Sequence, residues 1–234
     1  MGLEAVIFDF DGVLADTELL HYRAFCAALE SEGVRLEKDV YWEKYLGYTD
    51  KEAFEQMSSD FGFSLNANKL SWLIDEKAAR FDEFVRLENS LLPGVTELLL
   101  SLREAGVPMA ICSGALLCDI EGVFECARRH SGIDYFSFFD VVVTAEDVAD
   151  GKPHPEGYEK TMELLSSDRE SFIRPERCVV VEDSHWGLEA ARSAGMRTIA
   201  VCGSYSAEEL AGFADFVVGS LTELNAEIIA AVAG

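Results

Sequence analysis

The chain has 234 residues, of which 49% are apolar and 26% charged, a composition suited to one α/β domain carrying an insertion, or to two small domains. Lysine and arginine number 19 against 43 aspartates and glutamates, giving a formal charge of −24 that disfavours nucleic acid and anionic membranes as partners. No apolar run approaches the roughly 18–20 residues needed to span a bilayer, and no leader-like stretch opens the chain, so a cytoplasmic protein is expected.

In chain order, Glu4 to Phe8 reads as a buried strand ended by an Asp-rich turn. Residues 17–90 then carry helical apolar spacing over Thr17 to Glu32, Asp50 to Phe61 and Asn66 to Leu87, with Thr17, Asp50 and Asn66 as candidate N-caps. Trp72, Phe81, Phe84 and Phe54 fall at core spacings, and Arg80 and Arg86 read as surface ion-pair residues. This stretch predicts a helical domain inserted into a second domain made of residues 1–16 and 91–234.

After Pro93-Gly94 helices and strands alternate: Val95 to Ala105 helical, Val107 to Cys112 a strand, Leu116 to Arg129 helical and Phe138 to Thr144 a strand. A helix over Pro155 to Leu165 precedes a strand over Cys178 to Val181, and a helix over Trp186 to Ala194 precedes a strand over Thr198 to Cys202. The end reads as a short helix at Ala207 to Ala211, a strand at Phe216 to Val218 and a helix from Leu221 to Val232. Alternation with continuously apolar strands predicts an α/β fold with a doubly wound, Rossmann-like parallel sheet. Ligands of such sheets bind beyond the carboxyl ends of the strands, so the residues that follow each strand carry the functional information.

The first strand is followed by Asp9-Phe10-Asp11-Gly12. Two carboxylates about 4 Å apart repel by roughly 4 kcal/mol at an effective dielectric near 20. A hard divalent cation with oxygen ligands offsets that cost. The second strand ends in Ser113-Gly114-Ala115 before a helix, where a hydroxyl and main-chain N–H groups suit a phosphate oxygen. The third leads to Gly151-Lys152-Pro153-His154-Pro155, placing a lysine at the sheet mouth of an acidic protein. The fourth ends in Glu182-Asp183-Ser184, a second carboxylate pair where a strand gives way to a helix. The six cysteines contain no CxxC pair and are expected to be reduced and mostly buried.

The segments DFDGVLADT at 9–17, the serine at 113, GKPHPE at 151–156 and VEDSHWG at 181–187 resemble, in order and spacing, the haloacid dehalogenase superfamily. The resemblance is to the branch that contains β-phosphoglucomutase and phosphoglycolate phosphatase. It implies a cap domain over 17–90, a magnesium ion held by Asp9, Asp11, Glu182 and Asp183, and catalysis by Asp9 as nucleophile with Asp11 as acid and base. It further implies that Ser113, Gly114, Ala115 and Lys152 hold the phosphoryl group, and that His21 and Gly47 belong to the substrate side. An acid at position 11 is absent from the family's dehalogenases and phosphonatases, so a phosphate ester of a small molecule is the implied substrate. His21 matches a hinge histidine of the mutase, whereas Asp50 stands where the mutase has an arginine. Glu83 falls near the position of a mutase cap lysine. Hydrolysis of a sugar, polyol or hydroxy-acid phosphate is therefore expected, with sugar phosphomutation the alternative, by a monomer or weak dimer.

Overall fold

The computed structural model describes residues 2–46, 48–167 and 173–234. The chain divides into two compact units, Met1–Asp16 with Asn89–Gly234, and Thr17–Glu88.

The first unit is built on six parallel strands: β1 (Ala5–Phe8), β2 (Met109–Cys112), β3 (Val141–Val143), β4 (Cys178–Glu182), β5 (Arg197–Val201) and β6 (Phe216–Val218). Their order is β3-β2-β1-β4-β5-β6. β1 is thus central, with Phe8 paired to Ile111 on one side and to Val181 on the other. All residues of β1, β2 and β4 are buried, as strands covered on both faces must be. Alternate residues Ala5, Ile7, Ala110, Cys112, Cys178 and Val180 pack on one face with Tyr158 and Met162, while on the other Phe8 meets Phe139 edge to face.

The helices of this unit are α5 (Val95–Glu104), α6 (Leu117–Ser131), α7 (Glu156–Ser167), α8 (His185–Ser193), α9 (Ala207–Leu210) and α10 (Ala226–Ala233). Two sequence expectations are corrected here. The strand expected from Phe138 begins only at Val141, because Phe136–Phe138 forms a 3-10 turn whose Phe136 packs edge to face on Phe124. The last helix is broken at Asn225: Leu221–Glu223 is a separate 3-10 turn, and the Asn225 side chain accepts the Ile228 N–H to start α10 afresh.

The second unit is helical: α1 (Glu18–Leu29), α2 (Lys38–Lys44), α3 (Asp50–Phe61) and α4 (Ala67–Leu87). The short α2 escaped sequence reading because its seven residues span too few turns for a periodic signal. Thr49, not Asp50, caps α3, through a reciprocal pair with Glu52. Phe25, Tyr41, Tyr45, Phe54, Met57 and Leu73 form the centre of this unit's core. Phe81 is also buried, whereas Trp72 is 46% exposed and does not belong to the core. Arg80 pairs with Glu76 and Glu83, and Arg86 with Asp82, on the surface.

At the boundary of the first unit the outgoing and returning segments are joined: Asp16 N donates to Ser90 O at 2.8 Å and Leu92 N to Leu14 O at 3.0 Å. Among the described residues no helix is long and apolar enough to cross a membrane, and all six cysteines are free thiols.

Candidate active site

The strand order reverses at β1, with β2 and β4 on either side, and this is where open parallel sheets bind ligands. Asp9 follows β1 directly, its N–H donating to Val181 O at 3.0 Å, and only 8% of its surface is exposed. The chain then turns tightly, Leu14 and Ala15 both donating to Phe10 O, and Asp11, half-buried, bridges to Ala15. Gly12 has φ +75°, and a Cβ there would stand 2.0 Å from Asp183 Oδ2. The glycine is needed twice, for the left-handed turn and for the carboxylate that occupies the vacated space.

Lys152 links three distant segments. Its Nζ donates to Asp9 Oδ1 and to Glu182 Oε1, both at 2.7 Å, and lies 5.2 Å from the centre of the buried Tyr158 ring. Burial alone would lower this ammonium's pKa, but Asp9 and Glu182 outweigh it and raise it well above the ordinary lysine value. Lys152 is charged. Burial pushes the Asp9 carboxyl well up; Lys152 opposes that, while Glu182, Asp183 and Asp11 add to it.

Glu182 has no exposed surface, and its two oxygens are divided between partners. Oε1 accepts from Lys152 and, at 3.4 Å, from the Tyr158 hydroxyl. Oε2 accepts from the N–H groups of Asp183 and Ser184 at 2.8 Å and from the Ser184 hydroxyl at 2.9 Å. A side chain on Gly187 would strike Glu182 Oε1 at 1.5 Å, so the first turn of α8 is shaped around this carboxylate. Ser184 also caps α8, accepting the Gly187 N–H at 3.1 Å.

Asp183 is 5% exposed and accepts the Ser204 hydroxyl at Oδ2, 2.5 Å away. Burial first, then Glu182, pushes its carboxyl up to about 7. Asp9, Glu182 and Asp183 each offer an oxygen, all within 4.8 Å of one another. Three acids this close and this buried suit a divalent cation, and burial raises the carboxyls of Asp9 and Asp183. With Glu182 saturated by five donors, Asp9 and Asp183 are the residues whose chemistry fits direct ligation.

Ser113 is buried at the end of β2, its N–H held by Val143 O at 3.0 Å. It does not cap α6, which begins four residues later with Glu146 Oε2 accepting the Leu117 N–H at 3.1 Å. The Ser113 hydroxyl instead accepts the Ala115 N–H at 3.0 Å, leaving Gly114 exposed at the apex of the loop.

His21 lies in the second unit. Its Nδ1 is 2.8 Å from Lys77 Nζ, its ring stacks on Phe81 with centres 4.1 Å apart, and burial followed by the Lys77 charge lowers its pKa well below the usual value. Nδ1 is thus an acceptor from the ammonium, which also pairs with Asp50 Oδ1 at 2.8 Å. Gly47 lies outside the described residues. Glu83 is at the surface beside Arg80; the buried cation of this unit is Lys77, which sequence reasoning missed. Its signal was present: Leu73, Lys77, Phe81 and Val85 form one stripe at four-residue spacing, with a lysine among apolar residues. Ser204 and Tyr158 were also missed; Ser204 follows β5 and was open to the same strand-end logic that found the others.

A parallel sheet with a lysine clamped between a β1 aspartate and a β4 glutamate, and a further aspartate alongside, defines a hydrolase of the haloacid dehalogenase-like class. Residues 6–201 match the haloacid dehalogenase-like hydrolase family model, and the chain belongs to that family. It is 32% identical over 236 residues to protein CbbY of Cereibacter sphaeroides, covering 95% of this chain and 94% of that one. It is also 32% identical over 198 residues to a phosphorylated carbohydrates phosphatase of Thermotoga maritima, covering 84% of each. The crystal structure of Rhodobacter sphaeroides CbbY with xylulose-1,5-bisphosphate superposes with a TM-score of 0.77 at 30% identity, covering 95% of this chain and 96% of that one.

Proposed function

We propose that this chain is a magnesium-dependent phosphatase of small phosphate monoesters, sugar or polyol phosphates above all, working through a phosphoryl group carried on Asp9. The observation that carries the reading is the Lys152 ammonium held 2.7 Å from both Asp9 and Glu182 with Asp183 beside them. The related proteins' names, phosphorylated carbohydrates phosphatase and, for one in Arabidopsis thaliana, (DL)-glycerol-3-phosphatase, support the same substrate class.

Asp9 attacks phosphorus, and the bond from phosphorus to the leaving oxygen breaks. Asp11, protonated at the start, gives its proton to that oxygen, so the product leaves as a neutral alcohol. The Asp11 carboxylate then takes a proton from water, whose oxygen attacks phosphorus and displaces Asp9, releasing inorganic phosphate. Lys152 holds one oxygen of Asp9 and so fixes the nucleophile's orientation, while its charge faces the phosphoryl oxygens. Ser113 and the exposed Gly114 N–H offer hydrogen bonds to the same oxygens. Asp9 and Asp183, with the main chain at Asp11, would hold magnesium, which would supply positive charge against the phosphoryl group. Glu182 acts through Lys152. The helical unit is the cap, and the joined segments at Asp16 and Ser90 are its hinge.

Asp9→Asn is expected to abolish phosphate release from p-nitrophenyl phosphate, and EDTA to abolish it reversibly, with magnesium restoring it. Continued turnover in either case refutes the mechanism.

A further inference from the structure

Resting on the phosphatase reading, we propose that the site takes substrates whose single anionic group is the phosphoryl group being removed, on an uncharged leaving alcohol. A second phosphate or a carboxylate on the leaving group is rejected by the charge of the rim around it.

The segments that follow β1 to β5 at the carboxyl edge of the sheet, residues 9–16, 113–116, 144–155, 182–184 and 202–206, contain eight carboxylates against one lysine and one histidine. That lysine, Lys152, is committed to Asp9 and Glu182. Lys160 reaches this edge from α7, but its Nζ is spent on Asp147, at 2.5 Å from the main-chain oxygen and 3.6 Å from the carboxylate. A divalent cation held by Asp9 and Asp183 balances those two acids and leaves none of its charge for a distant anion. Beside the exposed acids Asp16, Glu146, Asp147 and Asp150 stand exposed apolar side chains: Leu116 and Leu117, 45% and 39% exposed just past Ser113, and Trp186, 58% exposed in the first turn of α8.

The helical unit shows the same pattern independently. Among its described residues every lysine and arginine except Lys38 has a carboxylate of the same unit within 4.0 Å, and Lys38 stacks on Trp42. Its one buried base, Lys77, is taken by Asp50 and His21, a pairing costly to break because the ammonium has no water to turn to. Among the described residues, neither the strand-end segments nor the helical unit presents a cluster of uncommitted bases that would receive a second anion, and the formal charge of the segments around the phosphoryl subsite is negative. The field of that charge lowers the approach and binding of doubly charged leaving groups more than of neutral ones, and salt screens the difference.

The test compares matched pairs at saturating magnesium, with p-nitrophenyl phosphate as the monoester control: glucose 6-phosphate against glucose 1,6-bisphosphate, and glycerol 3-phosphate against 3-phosphoglycerate. At low ionic strength the uncharged member of each pair is expected to have a kcat/KM at least about tenfold higher, and about 0.3 M salt to narrow that gap severalfold. Leu116→Lys, an exposed change outside the catalytic set, is expected to narrow it as well while leaving the uncharged member's rate within about twofold. A charged member processed as well as its neutral partner, or a gap indifferent to both salt and Leu116→Lys, overturns the proposal. Loss of p-nitrophenyl phosphate turnover in the native enzyme would instead strike the phosphatase reading. The pairs are then ranked by calorimetric binding to the Asp9→Asn protein, where equal affinities overturn the charge argument and a tenfold preference for the neutral member sustains it.

Discussion

The Lys152 ammonium sits 2.7 Å from Glu182 Oε1, on a carboxylate whose other oxygen is bound by two main-chain N–H groups and a serine hydroxyl. Glu182 therefore cannot swing away to follow a ligand. It fixes the lysine, and the lysine fixes Asp9.

Removing the cation from this arrangement leaves two buried carboxylates facing each other. Lys152→Met is expected to cost about 3–5 kcal/mol, the range for breaking a buried pair by deleting one partner. Urea unfolding of the metal-free protein at neutral pH measures it, and a midpoint equal to that of the native chain would show that Asp9 and Glu182 do not depend on Lys152.

Gly187→Ala tests the shape of α8. Alanine in a helix is ordinarily favoured over glycine by about 0.5–1 kcal/mol. Here the new Cβ would meet Glu182 Oε1 at 1.5 Å, an overlap that neither the helix nor the five-partner carboxylate can absorb. The sign is expected to reverse, with a loss of about 2 kcal/mol or more. Gly114→Ala, with nothing within 4 Å of the added atom, serves as the comparison, and a stabilised Gly187→Ala protein would contradict the geometry.

Asp183 gives the metal-free protein a pH dependence of definite sign. Its native carboxyl titrates near about 7, against about 3.9 in an unfolded chain. Between those values the native state binds the extra proton, so this group's contribution to stability falls as pH rises from about 4 to about 7 and is level above that. The difference in unfolding free energy between native and Asp183→Asn proteins isolates the slope. Magnesium affinity should rise across the same window, because the ligand must lose its proton first. A difference curve that is flat or rising between pH 4 and 7 would count against a strained acid at this position.

In the helical unit, Lys77→Met is expected to raise the His21 pKa, since the Lys77 charge adds to burial in holding it down. Stability should change by less than about 2 kcal/mol, because the Asp50 side chain is 33% exposed and can return to water. The imidazole resonances followed by NMR against pH report it directly. An unchanged titration would mean that burial alone sets the histidine.

Strand ends were the most legible part of this sequence. A continuously apolar run followed by a polar cluster marks both the strand and the edge at which it stops, and Asp9, Ser113 and Asp183 stand where that pattern puts them. Helix limits were less legible where side chains from elsewhere decide them, as when Phe136 turns toward Phe124 instead of extending β3. The lysine in the α4 stripe was passed over because helical periodicity identifies a face, whereas its partners His21 and Asp50 lie 56 and 27 positions away.

By itself the sequence determined which chemical groups this protein owns at each strand end and the alternation that makes a parallel sheet, because burial periodicity and turn chemistry are local properties. The tertiary structure alone decided what those groups do to one another. It spends Glu182 on Lys152 and main-chain donors, sets the Ser204 hydroxyl on Asp183, and commits Lys77 to Asp50. The physical reason is range: a hydrogen bond is made or lost over a few tenths of an ångström, and Lys152 and Asp9 are separated by 143 positions of chain that only the packed sheet brings together.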